Sequence, residues 1–242
     1  MPVIAARVVR RLDEKGLVGE QLIIVGTNAL YAYEALAGVR VESGLVATGD
    51  LDLLYDARRR LRFVVRDEIN KSGLIGLLKS VDSSFASRSR DFRAINKDGY
   101  LVDLIRPQDR CVLIDDAPAT LSENPEDMEG APIEGLAWLV NAPKVYAIVI
   151  DARGYPLRVA AVDPRVFALH KLWLSKRADR STVKARRDFE QARIAAEIAK
   201  QYLRLSFDEP DIAALPATLR EQANTVFNRK KNGREDSDAP DW

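Results

Sequence analysis

Residues 47–56 read ATGDLDLLYD. Asp50 and Asp52 alternate with Leu51 and Leu53, and the period of two over 50–55 predicts a strand with one apolar and one acidic face. Two carboxylates so close repel each other, and burying them unpaired is costly. A bound cation removes both difficulties. The plainer alternative is a strand end whose polar face lies in water, where acidic side chains normally sit.

The flanking sequence bears on that choice. Downstream, FRAINKDGYLVDLIRP (92–107) holds two strand-like runs around Lys97-Asp98-Gly99, a hairpin ending at Pro107. Asp103 lies in its most apolar run, although Asp is disfavoured in strands. If that strand lies beside Asp50–Asp52, three carboxylates converge, as in sites where one metal ion activates a hydroxyl and another stabilises the leaving oxygen. Otherwise Asp103 ends a hairpin strand or pairs with Arg106. Upstream, QLIIVGTNALYAYEALAGV (21–39) reads as a buried strand at 22–25, a Gly26-Thr27 turn, a helix over 28–37 and a stop at Gly38. Gly26 permits close backbone approach, and a helix N-terminus offers free N–H groups to phosphate, with the Thr27 hydroxyl as a further donor. The turn is neither GxGxxG nor Walker A, and a plain N-cap connection gives the same pattern.

Elsewhere, helices are predicted over 3–15 and 67–79, and an acidic surface loop over 115–132. A second hairpin over 144–162 turns at Arg153-Gly154. Beyond Asp163-Pro164 the chain turns helical, over 165–176, 181–203 and 211–227, with Pro164 at a first helical position and Ser181 as an N-cap. The expected organisation is an α+β domain over 1–160, a helical domain over 161–228 and a charged, disordered tail over 229–242.

Composition narrows the chemistry. The 242 residues carry 37 Lys and Arg against 36 Asp and Glu, so no global field points to nucleic acid or membrane. A single Cys111 excludes an internal disulfide framework and a Cys-based zinc site, and a single His170 excludes a His-rich one. Any bound metal takes oxygen ligands, which favours a hard ion such as Mg²⁺. Arg7, Arg10 and Arg11 interrupt the N-terminal apolar stretch, so it does not read as a signal peptide, and no segment is long enough to span a bilayer. A soluble cytoplasmic protein is the expectation.

VGTNALYAYEA, ATGDLDLLYD and YLVDLI together resemble the nucleotidyltransferase superfamily with the DNA polymerase β-type palm, whose pattern is a Gly-Gly/Ser turn, an Asp-x-Asp/Glu strand and a third acid on a later strand. The match covers about residues 20–107, with Thr27 in place of Ser. It implies an α+β fold in which a mixed sheet with helices precedes a helical C-terminal region. FALHKLWLSKRADRSTVKARRDFEQA (167–192) is similar to the AbiEii-type toxin branch, where one helix carries a Lys and the next an Arg/Lys-Asp motif. That likeness implies a triphosphate contact for Lys171 and an orienting role for Asp188, which lies four residues beyond Lys184.

The resemblance implies an Mg²⁺-dependent enzyme that transfers a nucleoside monophosphate from an NTP to an acceptor hydroxyl and releases pyrophosphate. Asp50, Asp52 and Asp103 are the expected ligands of a two-metal site, with Asp103 also helping to deprotonate the acceptor. Gly26, Thr27 and Asn28 are expected to cradle phosphates, with Lys171, Lys184 and Asp188 completing the nucleotide site. The acceptor is open: RNA, protein or a small molecule. The competing readings are an inactive nucleotide- or nucleic-acid-binding module and a toxin-type enzyme acting on tRNA. Basic runs at Arg58-Arg59-Arg60-Leu61-Arg62 and over 176–187 are either solvated faces or grips for a nucleic-acid acceptor. No RRM, KH or zinc-finger signature accompanies them. His170 and Trp173 read as packing residues.

Overall fold

A computed structural model describes residues 1–56, 67–108, 119–208, 210–212 and 215–227. The Arg58–Arg62 run, Cys111, the start of the acidic loop and the tail from 228 lie outside the described residues.

The chain opens with helix α1 (Val3–Glu14), which buries Ala5, Ala6, Val8, Val9 and Leu12 and points its arginines outward. Strand β1 (Leu22–Val25) is buried throughout. A 3₁₀ turn over Gly26–Ala29 leads into α2 (Leu30–Ala37), which ends on Gly38 in the left-handed region, φ +67°. After the short helix α3 (Ser43–Val46) comes β2 (Asp50–Tyr55), then α4 (Asp67–Val81). Strands β3 (Ala86–Ser87), β4 (Arg93–Ile95), β5 (Leu101–Pro107) and β6 (Ala131–Ile133) follow, then helix α5 (Leu136–Asn141). The β7 (Lys144–Ile150) and β8 (Pro156–Val162) pair closes the sheet. Three helices end the described chain: α6 (Pro164–Ser175), α7 (Thr182–Glu197) and α8 (Ala217–Phe227).

The strands form one mixed sheet in the order β3-β4-β5-β2-β1-β8-β7, with β6 also on β5. β1 runs antiparallel to β2, whereas β2 runs parallel to β5. This is the α+β arrangement expected, with helices packed against a mixed sheet. Leu51, Leu53 and Leu54 of β2 and Val102 and Leu104 of β5 are buried in the same core as α1 and as Val166 to Leu169 of α6. Arg10 of α1 ties the edge: it donates to the Asp151 carboxylate (2.6 Å) and to the Pro156 and Tyr155 carbonyls.

Both hairpins form where expected, with Gly99 (φ +79°) and Gly154 (φ +88°) in their turns. Pro164 opens α6, and the Asp163 side chain caps it by accepting from the Arg165 N–H (2.8 Å). Other expectations need revision. The helix expected over 67–79 is two helices meeting at Gly73, φ +67°, because the buried Asp127 carboxyl fills the place a side chain would take and accepts from the Ile75 N–H. Ser181 stands at the N-cap of α7 without a side-chain cap bond. The helix expected over 181–203 is α7 followed by a π-helical turn over Ile198–Tyr202. The last helix starts at Ala217, after a separate 3₁₀ turn over Pro210–Ile212. No helix among the described residues is long and apolar enough to cross a membrane.

Candidate active site

The β1–β2 register sets Val25 opposite Asp52, so the Gly26 turn begins where the acidic face of β2 emerges. Gly26 has φ +61°, and a Cβ built there would lie 2.9 Å from the Asp52 Cγ and overlap the carboxylate. Only glycine allows this approach. Asn28 locks turn and strand together: it is fully buried, and its Nδ2 donates to the Asp50 carbonyl (2.7 Å). Thr48 supplies a hydroxyl to Asp50 Oδ1.

The third acid joins them through the neighbouring strand. In the parallel β2–β5 pairing Asp52 stands directly beside Asp103, while Asp50 and Asp52 share a face by the strand period. The Asp52 carboxyl is pushed up to about 7, first by burial and then by the charge of Asp50, with Lys171 opposing. A carboxyl so placed holds its negative charge poorly without a cation. Asp103 already has one. Arg93, its antiparallel partner on β4, donates from Nε to Oδ1 (2.7 Å) and from Nη2 to Oδ2 (2.5 Å). The backbone thus gathers the three acids on one face, but their side chains do not close a cage: among the described residues no three His, Cys, Asp or Glu side chains are grouped to hold a metal ion.

Helices α6 and α7 form the wall. Lys171 of α6 is buried and donates to Asp188 Oδ1 of α7 (2.8 Å). Arg180, from the connection between the helices, takes the other oxygen through Nε (2.7 Å) and Nη2 (2.6 Å). Lys184 is exposed, and the Lys184–Asp188 pair suggested by the four-residue spacing is not made, because Asp188 turns inward to α6. Farther along α7, the buried Gln191 donates to the Thr27 hydroxyl (3.1 Å) and to the Leu45 carbonyl (2.8 Å), and Arg187 donates to the Ala47 carbonyl. Helix α7 therefore holds both the glycine turn and the approach to β2. His170 is buried beside Trp138 and Trp173 and is pushed down to about 3, chiefly by burial, so it is a neutral packing residue.

Sequence reasoning missed Arg93, Arg180, Thr48 and Gln191. A signal for Arg93 was present: the Lys97-Asp98-Gly99 turn centres the hairpin on Asp98, and counting five residues each way pairs Arg93 with Asp103.

A glycine turn fused to an acidic strand pair, beneath a cationic helical wall, defines a protein of the nucleotidyltransferase fold. The nucleotidyltransferase family profile matches residues 4–215, and the chain belongs to that family. Comparison with curated proteins and with solved structures finds no match.

Proposed function

We propose that the chain transfers a nucleoside monophosphate from an NTP to an acceptor hydroxyl, with a divalent metal ion on Asp50 and Asp52. The observation that carries this reading is the position of Asp52, pressed against the side-chain-free Gly26 and neighboured by two further carboxylates. The two candidate ligands fit a hard cation, since the Asp50 and Asp52 carboxylates offer only oxygens, and Asp52 is the group that such an ion relieves. When bound, the ion would stabilise charge on the phosphate oxygens and acidify the acceptor hydroxyl.

The protein's own share is positioning and electrostatics, as in phosphoryl transfer generally. Gly26 and Thr27 open the turn to the phosphates, while Gln191 orients the Thr27 hydroxyl. Asn28 holds the turn to β2 through its Nδ2 on the Asp50 carbonyl, while its buried Oδ1 has no hydrogen-bond partner among the described residues. Lys171 and Arg180 share one carboxylate, so the wall keeps an excess of positive charge for the triphosphate. The acceptor hydroxyl releases its proton to solvent as its oxygen attacks the α-phosphorus, the bond to the oxygen bridging the α- and β-phosphates breaks, and pyrophosphate leaves with that oxygen.

Purified protein incubated with each labelled NTP, Mg²⁺ and cell extract tests the reading. Label should enter RNA, protein or a small molecule with matching pyrophosphate release, and tRNA labelling would mark a toxin-type acceptor. Asp50→Asn and Asp52→Asn should each lower transfer on the order of 10²-fold or more while remaining folded. Undiminished turnover in both variants refutes the assignment. A second reading, nucleotide binding without turnover, draws support from the occupation of Asp103 by Arg93. It predicts NTP-dependent thermal stabilisation with no pyrophosphate released.

A further inference from the structure

We propose that Arg93 is the resident counter-ion of the third carboxylate, so that the nucleotide-free protein holds one divalent ion and gains a second only when the Arg93 fork leaves Asp103. This rests on the metal-dependent reading above and goes beyond it by naming the residue that limits metal loading.

Three observations carry it. The guanidinium covers both oxygens of Asp103, leaving that carboxylate no oxygen free of the Arg93 fork. The pairing is built into the sheet, because Arg93 and Asp103 are cross-strand partners on β4 and β5. The Arg93 side chain is 44% exposed against 9% for Asp103, so the cation can swing into solvent while the carboxylate stays in place. Phe92 gives the guanidinium a neighbouring face, 5.1 Å from the ring centroid. Asp103 is therefore a ligand in reserve, and Arg93 acts through it as a positioning residue.

The experiment counts Mn²⁺ bound by the full-length chain, from the loss of the free-ion paramagnetic signal, without nucleotide and at fixed pH. Wild type should bind one ion per chain, and Asp50→Asn should bind none. Arg93→Ala should bind two. Arg93→Gln, which removes the charge but keeps a hydrogen-bonding group, should also bind two, and it serves where the alanine variant proves unstable by circular dichroism. A wild-type count of two, or a count of one in folded Arg93→Gln, overturns the role of Arg93 while leaving the metal reading intact. A wild type that binds no Mn²⁺, or an Asp50→Asn variant that binds as wild type does, overturns the metal reading and the inference with it.

Discussion

Two ionic clusters face each other across the candidate site, and they are built in opposite senses. On the sheet, among the described residues, three carboxylates are offset by one guanidinium, that of the half-exposed Arg93. On the helices, one buried carboxylate, Asp188, is shared by two cations, Lys171 and Arg180. The floor of the site is short of positive charge and the wall has it in excess. A metal-bound triphosphate needs this pair of surfaces: anionic oxygens for the ion and cations for the phosphates beyond it. The two clusters also differ in cost. The sheet cluster is partly open, so its ion pair can exchange partners, whereas Lys171 and Asp188 of the helical one are buried and losing either partner of that pair is expensive.

The strongest way to break the comparison is at Asp188. Asp188→Ala leaves Lys171 buried without its carboxylate and should destabilise the fold by about 3–5 kcal/mol, read from urea unfolding. A loss below about 1 kcal/mol would place the wall in solvent after all. Gly26→Ala comes next. It puts a side chain into the left-handed region at a cost of roughly 1–2 kcal/mol and displaces the Asp52 carboxylate, so nucleotide transfer should fall much further than stability. Equal losses of both would reduce the turn to a structural device.

The wall also makes a prediction about acid. His170 is held neutral down to about pH 3, by burial first and by the nearby Lys171 charge second. An unfolded chain takes up that proton near its ordinary 6.5, so the stabilisation is complete above pH 6.5 and declines as the pH falls towards 3, by at most about 1.4 kcal/mol per pH unit. His170→Phe should flatten this part of the pH–stability curve. An unchanged slope would place the acid sensitivity elsewhere. The smallest effect belongs to Lys184. Exposed and unpaired with Asp188, it should change stability by less than about 0.5 kcal/mol when replaced by Ala, and a larger loss by chemical denaturation would restore the pairing that its spacing suggests.

The same contrast shows what the sequence made legible. The β2 strand and the glycine turn were readable because each is written in consecutive residues: alternation over Asp50–Tyr55, and an apolar run ending in Gly26. Both hairpins announced themselves through their turn residues. Features that depend on a distant partner were harder to read. Gly73 breaks α4 because Asp127, more than fifty residues away, occupies its side-chain space. Asp188 carries the expected residue type, yet it meets Lys171 across two helices rather than Lys184 along one. The short elements α3, α5, β3 and β6 offer too few residues for a periodic signal, and they fit because the larger elements leave them a place.

The most direct test of the central claim is where an ion and a nucleotide sit. Crystals of the protein grown with Mn²⁺ and a non-hydrolysable NTP should show anomalous scattering at the carboxylates of Asp50 and Asp52, with the phosphates between the Gly26 turn and Lys171. Manganese bound away from both aspartates, or a nucleotide seated off the glycine turn, would contradict the account.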